Sequence, residues 1–304
     1  MSYPKTITFS YFTSLDFTNL ITKYNDKLIV LTGIKIPNTK IIDSQLKSIA
    51  LLYHNNIIII THSEEFTILY TLDKDVKKLL NVKSSIQLYS KCYSICPFDK
   101  IYNPGIAIAC KDGIHTIDIP NMSNITTLSN TILNCKSLTT STSLDLLAIE
   151  LEKIHYYNGN EWIDYNNVTS SNYTCGIYSQ THKKWIIGNE NGEIIIYDTN
   201  LQNYNILNTN LNSIKMMCEL YNIGILISDR FNIKLLDKNM NLIDIIYNGD
   251  EIYDITTDFK NRVIIIDKNG KIHVGNVITI EKFKKIISTK YNVDLSYGHG
   301  IVLY

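Results

Sequence analysis

Alanine is nearly missing from this chain of 304 residues: it stands only at positions 50, 107, 109 and 148. Isoleucine and asparagine are abundant by contrast, which reads as the codon bias of an AT-rich genome. Individual Asn, Lys or Ile residues therefore carry little weight as signals. An excess of charge is missing too, with 29 Lys plus Arg against 29 Asp plus Glu. That balance argues against a general nucleic-acid binder, which normally shows a basic surplus. The N-terminal MSYPKTITFSYF has no basic segment followed by an apolar one, so no secretory leader is expected. Apolar runs such as Ile57 to Ile60 stop far short of a membrane span.

The six cysteines (92, 96, 110, 135, 175, 218) form no CxxC pair and no regular framework. Free, buried thiols in a reducing compartment, cytoplasmic or nuclear, are the expectation. Cys92 and Cys96 lie in the strand-like YSKCYSICPF, where a spacing of four puts them on one face as small core residues. No G-x-S-x-G elbow, GxxxxGK[ST] loop or HExxH occurs. Gly176, Gly188 and Gly192 come nearest to a nucleotide pattern and read as turn residues. No catalytic, cofactor-binding or metal-binding residue is assigned. The one tight basic cluster, Lys282 with Lys284 and Lys285 in EKFKKI, reads as a solvated edge.

What the chain does have is a repeat. KKWIIGNENGEIIIYD (183–198) is two apolar runs around a polar turn, ending on an acid. Its second half recurs as GIHTID (113–118), KIHYYN (153–158), EIIIYD (193–198), NIKLLD (232–237) and KIHVGN (271–276). The anchor isoleucines are 114, 154, 194, 233 and 272, giving steps of 40, 40, 39 and 39. Weaker copies carry Ile34 and Ile68. An aliphatic run precedes each anchor: KLIVLTG, NIIIITH, GIAIACK, LLAIELE, KWIIGNE, GILISDR and RVIIIDK. Such short β-branched runs closed by polar residues are strands. Helical periodicity is nearest at Val76 to Leu80 and Ile280 to Ile287, both short enough for outer strands or single turns.

An all-β period of about 40 residues points to a propeller. A four-stranded sheet apolar on both faces has to be covered on both, and radial stacking does this. The expectation is one domain over 1–304: a ring of seven four-stranded antiparallel blades, with eight left open. TITFSYF (6–12) is expected to pair with the C-terminal VDLSYGHGIVLY (293–304), read as two strands of a shared blade, so that no sheet edge stays exposed.

The blade endings resemble the WD40 family. Gly192-Glu193-Ile194-Ile195-Ile196-Tyr197-Asp198 is similar to the G-x-I-x-I-W-D ending, with Tyr197 in the Trp place. Asp118, Asp198 and Asp237 stand where that family has its Asp. No repeat ends in WD and none opens with Gly-His, so the His–Asp hydrogen-bond network of regular members is expected to be missing. His115, His155 and His273 share one repeat position and are expected to pack between blades rather than to bind metal. Phosphoinositide-binding propellers carry FRRG, which this chain lacks.

In WD40-like blades the loops between second and third strands open on one face. Here those loops carry Glu64, Glu65, Asp112, Glu150, Glu152, Glu190, Asp229 and Asp267 against Lys111, Lys153, Arg230 and Lys268. Eight acids against four bases on a neutral chain suggest a face for a basic peptide or loop. The functional expectation is a non-enzymatic protein–protein interaction platform, a subunit of a larger intracellular assembly, without cofactor. The alternatives are a lactonase- or cyclase-type enzyme with a channel-bound divalent ion, and a nucleic-acid- or ribosome-associated propeller.

Overall fold

A computed structural model describes residues 9–10, 18–24, 27–32, 47–53, 56–62, 67–72, 82–98, 105–118, 123–141, 145–247, 249–257, 262–268, 272–279 and 299–303. All regular structure among them is β. The chain divides into two compact units, residues 1–150 with 154–164, and residues 151–153 with 165–304.

In the first unit β1 (Phe9–Ser10) joins β4 (Lys47–Tyr53), β5 (Asn56–His62), β6 (Thr67–Leu72) and β7 (Val82–Leu88) in one sheet, beside a ribbon of β2 (Thr18–Tyr24) and β3 (Lys27–Thr32). A four-stranded sheet follows from β8 (Cys92–Pro97), β9 (Gly105–Cys110), β10 (Gly113–Asp118) and β11 (Ser123–Ser129). The next runs through β12 (Ser137–Thr140), β13 (Leu146–Ile149), β14 (Lys153–Tyr157) and β15 (Trp162–Asn166). The second unit holds β16 (Tyr173–Ser179), β17 (Lys184–Asn189), β18 (Glu193–Tyr197) and β19 (Tyr204–Asn208) as one sheet. Its remaining strands are β20 (Met216–Leu220), β21 (Gly224–Ser228), β22 (Ile233–Asp237), β23 (Leu242–Ile246), β24 (Ile252–Thr257), β25 (Arg262–Asp267), β26 (Ile272–Thr279) and β27 (His299–Leu303).

The anchors fall in equivalent places. Ile68, Ile114, Ile154, Ile194, Ile233 and Ile272 all lie in the third strand of a four-strand series, and the aliphatic runs from 56 onward are the second strands. Ile114, Ile154, Ile194 and Ile233 are buried. The second strands are buried on both faces: β9, β13 and β21 along their whole length, β17 at every residue after Lys184. Fourth strands such as β15 and β19 are largely exposed. The sheets of β12–β15 and β16–β19 thus pass from an apolar middle to a polar edge, and the cores form between sheets. One joins Ile186, Ile194 and Ile196 to Ile225, Ile227 and Leu236 of the following sheet.

Three local readings change. Cys92 and Cys96 face opposite ways: Cys92 packs with Leu88, Ile106 and Ile108, Cys96 with Phe98, Ala107 and Ala109. A β-bulge between Cys92 and Ser94 inserts one residue and reverses the alternation. Gly192 is a turn residue, with φ of +76° and no room for a Cβ against the Leu211 carbonyl. Gly188 and Gly176 instead lie inside β17 and β16, and a Cβ on Gly188 would meet Ile214.

The termini also differ from expectation. Phe9 pairs with Ala50 and Ser10 with Ile49, so β1 extends the sheet of β4. The C-terminal β27 pairs antiparallel with β26, from Gly275↔Leu303 to Thr279↔His299, and touches β23 in parallel at Ile245↔His299. GIVLY is a fourth strand, not the second strand of a further repeat. It looks like one because, unlike YNILN or WIDYN, it is apolar throughout. The two near-helical segments, the EKFKKI cluster and Ile34 lie outside the described residues.

Two outcomes follow. Ile154→Ala, Ile194→Ala and Ile233→Ala should each cost about 2–5 kcal/mol in urea unfolding, since each leaves a cavity at an equivalent buried position; a near-neutral change at any one would break the equivalence. Removing 293–304 strips β26 of its outer neighbour, and thermal unfolding should then come at a lower temperature than for the full chain.

Candidate functional site

The turns between second and third strands carry most of the polar residues singled out in the sequence. Their geometry follows from burial. The second strand is buried to its end, so the backbone N–H groups of the turn need acceptors close by. Side chains at the strand end supply them. Asp229 Oδ1 accepts from the backbone N–H of Phe231 and of Asn232, both at 2.7 Å, and Oδ2 accepts from Asn232 Nδ2 at 3.1 Å. Asn189 Oδ1 does the same for Asn191 and Glu193, at 3.0 and 2.9 Å. Burial works to raise the Asp229 carboxyl, but the N–H bonds from Phe231 and Asn232 outweigh it and hold the group below the ordinary carboxylate range.

The turn after the third strand uses the same device. Asp198 accepts from the backbone of Gln202 at 2.8 Å and from Asn203, and Asp237 from the backbone of Asn239 and Asn241, both at 2.8 Å. These are two of the three acids that stand in the WD40 Asp place, and their task here is turn capping.

Histidine–acid hydrogen bonds are present after all, at the residue following the anchor. His115 Nε2 meets Asp112 Oδ1 at 3.2 Å, and its Nδ1 meets Thr127 Oγ1 at 3.2 Å. His155 bridges Asp164 at 2.8 Å and Glu150 at 3.2 Å. His273 Nε2 meets Asp267 Oδ2 at 2.9 Å. His115 and His155 are buried. At the same position Lys234 pairs with Asp244 at 2.8 Å, while Ile195 is apolar and buried.

These bonds redistribute the expected acidic face. Asp229 and Asp267 are 3% and 1% exposed, so they serve the fold and not the surface. Glu150 is half-buried against His155. Among the described turn residues the exposed acids are Asp112, Glu152 and Glu190, and the exposed bases are Lys111, Lys153, Arg230 and Lys268. Glu190 accepts from Asn172 Nδ2, and Arg230 pairs with Glu251 at 3.3 Å. Among the described turn residues, three exposed acids thus stand against four exposed bases. Glu64 and Glu65 lie outside the described residues.

Two apolar side chains were passed over. Phe231 is 60% exposed and Leu151 43%, each in one of these turns and each in the second unit. Their signal in the sequence was an aromatic or aliphatic residue inside a run of turn-forming polar ones, as in DRFN and ELEK. Among the described residues, one group of three His, Cys, Asp or Glu side chains is close enough to share an ion: Cys110, Asp112 and His115, with ligand atoms within 4.8 Å of one another. All six thiols are free, and five are buried as expected.

No protein-family model matches this chain, and no curated protein matches it in sequence. Solved structures do match in fold. The Neurospora crassa Pan2 WD40 domain superposes with a TM-score of 0.54 at 14% identity, over 73% of this chain and 72% of that one. The WD40 β-propeller domain of Doa1 gives 0.54 at 12% identity, over 71% and 74%. Kluyvelomyces marxianus Hsv2 gives 0.53 at 10%, over 85% and 90%. The fold is that of a divergent WD40-like β-propeller.

The capping carboxylates set a pH dependence. A carboxyl held low in the folded state stabilises it above the unfolded aspartate pKa of about 3.9, and this is lost as pH falls through the depressed value. Asp198, Asp229 and Asp237 are all held low, each by backbone and Asn side-chain bonds that outweigh burial. The melting temperature should therefore drop steeply below about pH 4. Asp229→Asn should lower it at neutral pH and flatten that drop; an unchanged slope would show that Asp229 is not a contributor.

Proposed function

We propose that this chain is a non-enzymatic protein-interaction platform, one seven-bladed ring over 1–304, serving as a subunit of a larger assembly. The observation that carries the reading is the pair of exposed apolar side chains, Phe231 and Leu151, placed in turns that need only polar residues. Aromatic anchors of this kind supply most of the energy in protein interfaces, while the charged rim sets encounter rate and partner choice. Glu152 and Glu190 are the exposed acids of the described second-to-third-strand turns in the same unit and receive a basic peptide or loop of the partner. The fold supports this reading by offering rigid sheets with short variable turns, a scaffold on which loops carry recognition.

The ion-sharing group among the described residues contains a thiol, unlike the Asp, Asn and Glu set of the lactonase-type alternative. An interaction surface is therefore the better-supported reading.

The test begins with affinity capture by the full chain from the cells that make it, followed by identification of the captured protein. Phe231→Ala should weaken binding to that partner by about 2 kcal/mol, roughly thirtyfold, with little change in thermal stability. The double variant Glu152→Lys, Glu190→Lys should slow association at low salt and behave like the parent well above about 0.15 M, where screening acts within roughly 8 Å. Unchanged affinity and salt dependence in both variants would move the interface elsewhere on the molecule.

A further inference from the structure

We propose that Cys110, Asp112 and His115 form a zinc site, with the adjoining Cys92 thiol completing a tetrahedron. The three side chains come from one hairpin. Cys110 ends β9, Asp112 is in the turn, and His115 is the third residue of β10. Cys110 and His115 share a sheet face, since Cys110 pairs with Gly113 and His115 with Ile108 in the β9–β10 register. Cys92 stands opposite Cys110 on β8, and its thiol donates to the Ser94 carbonyl at 3.6 Å. The bulge after Cys92 is what turns that side chain toward this face.

The distances suit an ion. Ligands about 2.0–2.3 Å from a tetrahedral zinc lie about 3.3–3.8 Å apart. His115 Nε2 and Asp112 Oδ1 are already 3.2 Å apart, and the Cys110 sulfur lies within 4.8 Å of both. The outer bonds are also of the kind that orient ligands. His115 Nδ1 meets Thr127 Oγ1 at 3.2 Å, which leaves Nε2 for the ion, and Ser90 Oγ accepts the Asp112 backbone N–H at 3.3 Å. Thiolate and imidazole together select zinc over the hard cations that carboxylates alone would take. Each thiol that binds gives its proton to solvent.

The repeat supplies an internal comparison. His155 and His273 occupy the position of His115, yet their partners are carboxylates alone, Glu150 with Asp164 and Asp267. Four residues before the anchor, where Cys110 stands, the other repeats have Glu64, Glu150, Glu190, Asp229 and Lys268. Soft ligands have entered this one repeat.

The experiment is titration of the reduced full chain with Zn²⁺ alone, followed by calorimetry and by a thermal melt. One zinc per chain and a higher melting temperature are expected. Co²⁺ in its place should give the sulfur-to-metal charge-transfer band and the strong visible bands of tetrahedral coordination. Asp112→Asn, an exposed change that spares the core, should weaken zinc by at least about 100-fold, since loss of an outer partner alone costs about 10–100-fold. Cys110→Ser should abolish the charge-transfer band, and His273→Gln should leave binding untouched. No thiolate band with the parent chain overturns the site, as does undiminished zinc binding in Asp112→Asn or Cys110→Ser. Full binding by Cys92→Ser removes Cys92 from the ligand set.

Discussion

The architecture rests on strands that are apolar on both faces. GIAIAC, LLAI and GILIS are buried at every residue, so a sheet built around them cannot leave either face to water. Burial of about 25 cal/mol per Å² of apolar surface drives each sheet against its neighbour, and no sheet of this kind is stable alone. The clusters show the consequence: Ile186 and Ile196 of one sheet share a core with Ile225 and Ile227 of the next. From that follows the polar grading within each sheet. The second strands have no surface to offer, while fourth strands such as β15 and β19 face solvent.

The same constraint governs the turns. A strand buried to its last residue delivers its chain to the turn in an apolar setting, where an unmet N–H is costly. Asn189 and Asp229 meet this need with a side-chain oxygen that accepts two N–H groups each. A buried carboxylate is tolerable only because it is so fully bonded. Turn acids in this molecule are therefore of two physical kinds, structural caps and surface charges, although the residue types are identical.

That distinction explains what could be read in advance. The period was legible because isoleucines 114, 154, 194, 233 and 272 answer one packing problem repeated at fixed steps, and all lie in third strands. Burial of a polar turn residue was not legible, because Asp229 and Glu190 hold the same sequence position, four before the anchor, while one is buried and the other exposed. Counting acids consequently overstated the charge of the turns. The bulge at Cys92 was equally hidden: nothing in KCYSIC marks the extra residue, and strict alternation puts both thiols on one face. Phe231 falls between the GILISDR and NIKLLD runs, and only its exposure marks it as a surface feature.

One repeat position shows how such a fold acquires chemistry. The residue after the anchor is histidine in three sheets, lysine in one and isoleucine in another, and each has found a partner suited to it. The backbone ladder does not depend on which is present, since β10, β14, β18 and β22 keep the same antiparallel pairing with the strand before. Variation there is cheap in fold terms, and what the position does is decided by its neighbours. Beside Glu150 and Asp164 a buried histidine is held by two carboxylates. Beside Cys110 the same histidine has a thiol on the adjoining strand and the Asp112 carboxylate in the turn. The two settings differ four residues before the anchor, where one sheet has Cys110 and the other Glu150.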